Sequence, residues 1–184
     1  MSGPLRSGES AKVWCMALSA LVLLGSFDLP APPDSLEIVE GAPSFRVERG
    51  MAVYLGAEPD AFVNARLADI AVAASASLRP QVVAEAAGPG IYAGVIGAFG
   101  PFEGRDLRRA LSAVGTPGPG GYLIAVGPDF AIIAGADEAG LRHGWRTFTV
   151  LVEQSPALPQ MRLLDSPAVA FRALKLGGVD TDLL

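Results

Sequence analysis

Asp137 and Glu138 are adjacent carboxylates, the residue type that general acid–base chemistry draws on. A carboxyl group acting as an acid near neutral pH needs a cleft that raises its pKa. Nothing around this pair points to one: Ile133-Ala134-Gly135-Ala136 precede it and Ala139-Gly140 follow. The pair stands instead where a helix begins. Asp137 suits the N-cap and Glu138 the first turn, where carboxylates meet free N–H groups and the positive end of the helix dipole. His143 is the chain's one histidine and has neither a nucleophile nor an orienting group in its pattern. Ser112, Ser155 and Ser166 lie in no nucleophile elbow. One cysteine, Cys15, and one histidine cannot make a metal site, and a disulfide within the chain is excluded. Arg105, Arg108 and Arg109 cluster as an anion patch would, but a solvated helix face explains them more simply. The Gly/Pro-rich stretch 115–121 precedes a strand, whereas a phosphate-cradling loop follows one and opens a helix. The chain is therefore expected to hold no catalytic group of its own, no metal and no cofactor.

The elements that would position these residues centre on 121–154. Two β-rich runs, 122–126 and 130–134, flank Gly127-Pro128-Asp129 and predict a hairpin. In the helix that follows, Leu141, Trp145, Phe148 and Val152 form one apolar stripe that should lie on a sheet. His143, Arg146 and Val150 fall on another face of that helix. A second, mixed face on a helix already committed to a sheet suggests cover on both sides, with a solvated face as the alternative.

Upstream, 36–39 reads as an edge strand, and 45–47 and 52–55 as short strands around the turn 48–50. Pro59 or Asp60 starts a helix expected to run to Ser77, with Val63, Leu67, Ile70 and Ala74 inward and alanine almost everywhere else. Segments 81–85 and 91–98 are strand-like, joined through Gly88-Pro89-Gly90. Residues 105–114 predict a short helix with Leu107, Leu111 and Val114 inward. At the N-terminus, Arg6 and Lys12 precede the apolar run 13–25, the pattern of an export signal over residues 1–27. An uncleaved anchor or a buried helix are the alternatives. Pro-rich 28–34 is a stiff spacer.

The whole chain has 184 residues, enough for one domain with a substantial core plus tails. With 14 basic residues, no basic run and a net charge of −5, no nucleic-acid partner is expected.

Ala139-Gly140, Gly144 and Thr147 read A-G-x-x-x-G-x-x-T. Together with the preceding hairpin, the Asp165-Ser166-Pro167 segment and Phe171-Arg172, this helix resembles the one closing the small non-catalytic domain before the barrel of family 20 β-N-acetylhexosaminidases. Related domains precede the barrels of family 84 and family 67 glycoside hydrolases. The opening S-L-E-I-V-E-G-A-P-S-F-R-V from Ser35 is similar to the start of the same domain. The resemblance implies that Ala170–Leu176 matches the first strand of a downstream catalytic barrel, though Ala173 and Gly177 depart from its pattern. Arg172 would then hold sugar hydroxyls in a longer parent, or otherwise serve as a structural ion pair. It also implies that catalysis by an Asp-Glu pair belongs to the barrel, and that His143, Arg146 and Val150 face it.

The expectation is an α+β fold over residues 35–165, a mostly antiparallel sheet with two main helices packed on one face in a two-layer sandwich, followed by 166–184 as the start of a further domain or a tail. The expected role is that of an accessory domain in an exported, β-N-acetylhexosaminidase-like glycoside hydrolase. A free-standing glycan-binding module is one rival. A protein-interaction domain, held at a membrane if the signal stays uncleaved, is another.

Overall fold

The computed structural model describes residues 29, 33–82, 88–98 and 105–166. The proposed signal, Arg172 and residues 167–184 lie outside them, as does most of the Pro-rich spacer. The strands are β1 (Ser35–Ile38), β2 (Phe45–Arg46), β3 (Met51–Leu55), β4 (Leu78–Val82), β5 (Gly90–Val95), β6 (Tyr122–Val126), β7 (Phe130–Gly135), β8 (Ala157–Leu158) and β9 (Met161–Asp165). The helices are α1 (Ala61–Ala73), α2 (Arg105–Val114) and α3 (Glu138–Gln154).

Seven strands make one sheet in the order β1-β9-β6-β7-β5-β3-β4. It is mixed. β1, β9, β6 and β7 pair antiparallel, while β7, β5, β3 and β4 pair parallel. β2 and β8 form a separate antiparallel ribbon. The α+β sandwich expected from the sequence is present, with α1 and α3 on one face of the sheet.

Period-two alternation explains why two layers form. Along β6, Tyr122, Ile124 and Val126 join the core beneath α1 and α3, and Leu123 and Ala125 join the core beneath α2. Along β7, Ala131 and Ile133 face the first layer, and Ile132 and Ala134 the second. All of these are buried. The apolar stripe of α3 meets the first core as expected, with Trp145, Phe148 and Val152 fully buried and Leu141 packed beside them. Burying each large side chain contributes about 1.5–3 kcal/mol. Leu107 of α2 is buried against the opposite face, with Leu111 and Val114 packed against the same core.

The structure moves several expected boundaries. α1 ends at Ala73 rather than Ser77, and Ser75 takes a positive φ of 50° that stops the helical path. β4 starts at Leu78, and residues 83–87 of the expected strand lie outside the description. β5 ends at Val95 and passes into a 3-10 turn, Ile96–Ala98. β4 and β5 are not partners; both run parallel to β3, on either side of it. β2 and β3 also separate, because Phe45 pairs with Leu158 outside the main sheet.

Candidate interdomain surface

The turn after β7 is built by one side chain. Asp137 Oδ1 accepts from the Gly140 N–H and Oδ2 from the Gly120 N–H, each at 2.8 Å. One carboxylate thus caps α3 and ties its first turn to the loop before β6. These two N–H groups, that of Gly140 foremost, hold the Asp137 carboxyl below its ordinary range. His143 reaches the same loop, its Nδ1 lying 3.1 Å from the Gly120 carbonyl oxygen. A carbonyl only accepts, so Nδ1 carries the proton in this contact.

Gly140, Gly144 and Thr147 lie at i, i+4 and i+7 and share one face of α3. A Cβ on Gly140 would stand 2.0 Å from the Gly121 carbonyl oxygen, and one on Gly144 2.9 Å from Ile133 Cγ2. Side chains there would hold the helix off the sheet. The Thr147 hydroxyl lies 2.7 Å from the Tyr122 hydroxyl in the same buried layer. Burial, more than any other influence, pushes the Tyr122 phenol well above its ordinary pKa. The A-G-x-x-x-G-x-x-T pattern is therefore a seat for the helix on β6 and β7.

The other sides of α1 and α3 face outward together. Phe62, in the first turn of α1, is ringed by three guanidinium groups. Arg142 stands 5.1 Å from its ring centre, Arg146 5.4 Å and Arg66 5.7 Å. Arg142 also pairs with Asp60 at 2.5 Å, joining α3 to the N-cap of α1. Asp60 accepts from the Val63 N–H at 2.8 Å, and that bond leads the causes lowering its pKa. Arg66 pairs with Asp69 at 2.8 Å. Among the described residues, Arg146 pairs with no carboxylate, and Arg66 Nε is buried without a hydrogen-bond partner. Beyond this cluster, Ala61, Ala65, Ala68 and Val72 line one exposed face of α1, Val72 being 80% exposed.

Of the three residues read from the sequence as a second face, Arg146 is exposed and belongs to the Phe62 cluster. His143 and Val150 are half-buried, and His143 is held by the Gly120 loop. Phe62, Arg66 and Arg142 were missed. Their signal was present as two i, i+4 pairs, Phe62 with Arg66 and Arg142 with Arg146.

A cleft of about 390 Å³ opens between the first turns of α1 and α3. Leu55, Val95, Leu141 and Trp145 line it, together with Glu58, Glu138 and the Asp60–Arg142 pair. Asp60 is shifted downward, opposite to what a general acid needs. The Trp145 indole nitrogen is buried without a partner among the described residues. Tyr54, Tyr122 and Trp145 are core residues and not surface platforms; half-buried Tyr92 stacks on Tyr54 at 4.8 Å.

The cleft lies at the sheet end where the described chain enters and leaves. Val95 and Tyr122 are both paired with Gly135, Tyr122 with Asp165, and Leu164 with Ser35. The Ser166 N–H donates to Asp34 Oδ2 at 2.9 Å, tying the segment before β1 to the segment after β9.

Residues 29–166 match the family model described as glycosyl hydrolase family 20, domain 2. Among solved structures, the chain is similar to the β-N-acetylhexosaminidase from Bacteroides fragilis, at 16% identity and a TM-score of 0.50, over 77% of this chain and 25% of that one. CpGH84D gives a TM-score of 0.58 at 12% identity, over 76% and 24%. The exo β-N-acetylglucosaminidase from Vibrio harveyi gives 0.51 at 15% identity, over 78% and 19%. This chain thus matches about a quarter or less of each solved chain. A search of curated proteins found no match.

Proposed function

The chain belongs to the domain 2 family of glycosyl hydrolase family 20, and from that premise we propose that it serves as the non-catalytic companion of a catalytic barrel in an exported, β-N-acetylhexosaminidase-like enzyme. The outward face of α1 and α3 is the surface that the barrel covers, with Arg146, His143 and Val150 on or beside the contact. The observation carrying this reading is the row Ala61, Ala65, Ala68 and Val72. It leaves an apolar, small-residue face of α1 in solvent, and small residues let a second body approach a helix closely. The placement of the start of β1 and the finish of β9 supports it, since both lie at the sheet end where α1 and α3 begin. By its resemblance to the first barrel strand, Arg172 would hold sugar hydroxyls in a longer parent or otherwise serve as a structural ion pair. Export rests on the 1–27 pattern, and sequencing the mature N-terminus from the native host tests it.

The purified 184-residue chain is expected not to hydrolyse an aryl N-acetylglucosaminide, and turnover would overturn the reading. In a parent that includes the barrel, Arg146→Glu is expected to split one cooperative melting transition into two. An unchanged single transition would count against the contact.

A further inference from the structure

We propose that the Phe62 arginine cluster is a receptor for one protein carboxylate, presented by the domain that covers α1 and α3. The inference rests on the interdomain reading and goes further by naming the chemistry of the contact. Three guanidinium groups converge within 6 Å of one ring, at 5.1, 5.4 and 5.7 Å. Asp60 neutralises Arg142 and Asp69 neutralises Arg66, which leaves Arg146 without a paired carboxylate among the described residues. That surplus stands out on a chain whose net charge is −5. The cluster also has donors to spare. Arg146 is exposed, and among the described residues its planar set of N–H groups has no carboxylate partner.

Phe62 fixes the geometry. Its ring orients the guanidinium groups by cation–π attraction, so less side-chain freedom is lost when an anion arrives. A carboxylate paired with Arg146 would compensate its charge by the bidentate geometry that guanidinium favours, and Arg66 and Arg142 around the same ring would add to the attraction. A protein carboxylate is preferred to a sugar acid because the exposed apolar row of α1 runs from the same helix, and a folded surface covers both features at once.

The test uses the full 184-residue chain with 15N-labelled arginine, observed by NMR at constant ionic strength. Acetyl-tetraglutamate amide is expected to shift the Arg66 and Arg146 Nε–H resonances saturably, whereas a tetralysine peptide leaves them in place. Arg146→Gln and Arg66→Lys are each expected to weaken that response about three- to fivefold, as for an exposed charge contact. No saturable shift, or equal binding in both variants, would overturn the proposal. Free glucuronate binding as tightly as the peptide would overturn the choice of a protein carboxylate. Failure here, with Arg146→Glu still splitting the melt of a barrel-containing parent, would sink the carboxylate receptor and leave the interdomain reading standing. Peptide binding with an unsplit melt would keep the receptor and remove the interdomain reading.

Discussion

The two helices on the same sheet face are held in different ways. α3 has 17 residues and buries eight of them, including Trp145, Phe148, Leu151 and Val152. α1 has 13 residues and buries two, Leu67 and Ile70. α3 is capped by a carboxylate that also grips a neighbouring loop, and it lies close against that loop at Gly140 and against the sheet at Gly144. α1 rests on a narrower stripe and turns alanine and Val72 to solvent. The contrast teaches that this domain completes its own packing along α3 and leaves α1 half served. A helix of good intrinsic propensity but little burial owes less of its stability to tertiary packing than α3 does.

The contrast can be broken most directly in the core. Phe148→Ala is expected to cost about 3–5 kcal/mol in urea unfolding, against about 1 kcal/mol for Val63→Ala at a half-buried position of α1. Equal losses would end the distinction. Gly140→Ala comes next, at about 1–3 kcal/mol, even though alanine is the better helix former, because the added Cβ meets the Gly121 carbonyl. A gain in stability would show that the helix is not seated as described.

Asp137→Asn is expected to cost about 1 kcal/mol. Asparagine can still cap α3 through its oxygen, but its amide nitrogen cannot accept from Gly120. Because the folded state lowers the Asp137 pKa, its contribution is complete above the ordinary carboxylate range and is lost as pH falls through the lowered value. The wild-type advantage over Asp137→Asn should therefore shrink in acid urea titrations; a constant gap would deny the linkage. Smallest of all, Val72→Ser should change the stability of this chain by less than about 0.5 kcal/mol. The same substitution should weaken cohesion in a barrel-containing parent, as read by differential scanning calorimetry.

The sequence made α3 and the 122–135 hairpin legible for a physical reason: both are local. The hairpin needs only a turn between two β-rich runs, and α3 needs only a cap and a stripe, so Asp137, Trp145, Phe148 and Val152 fell where expected. The parallel pairing of β3 with β4 and β5 was not legible, because nothing in a strand's own residues names a distant neighbour or its direction. The exchange of Phe45 to a ribbon with Leu158 was hidden likewise. At the outer surface, the exposure of Arg146 was legible from its helix face. Phe62 was missed because the cluster needs α1 and α3 side by side, which no window along one helix reveals.

β1 and β9 are neighbours, Ser35 paired with Leu164, and the Asp34 carboxylate holds the Ser166 N–H. Entry and exit therefore lie one strand spacing apart, about 5 Å. A module with adjoining ends can be transplanted between flanking segments without stretching them. Pulling on those segments would peel β1 from β9 like a zipper before any load reached the core.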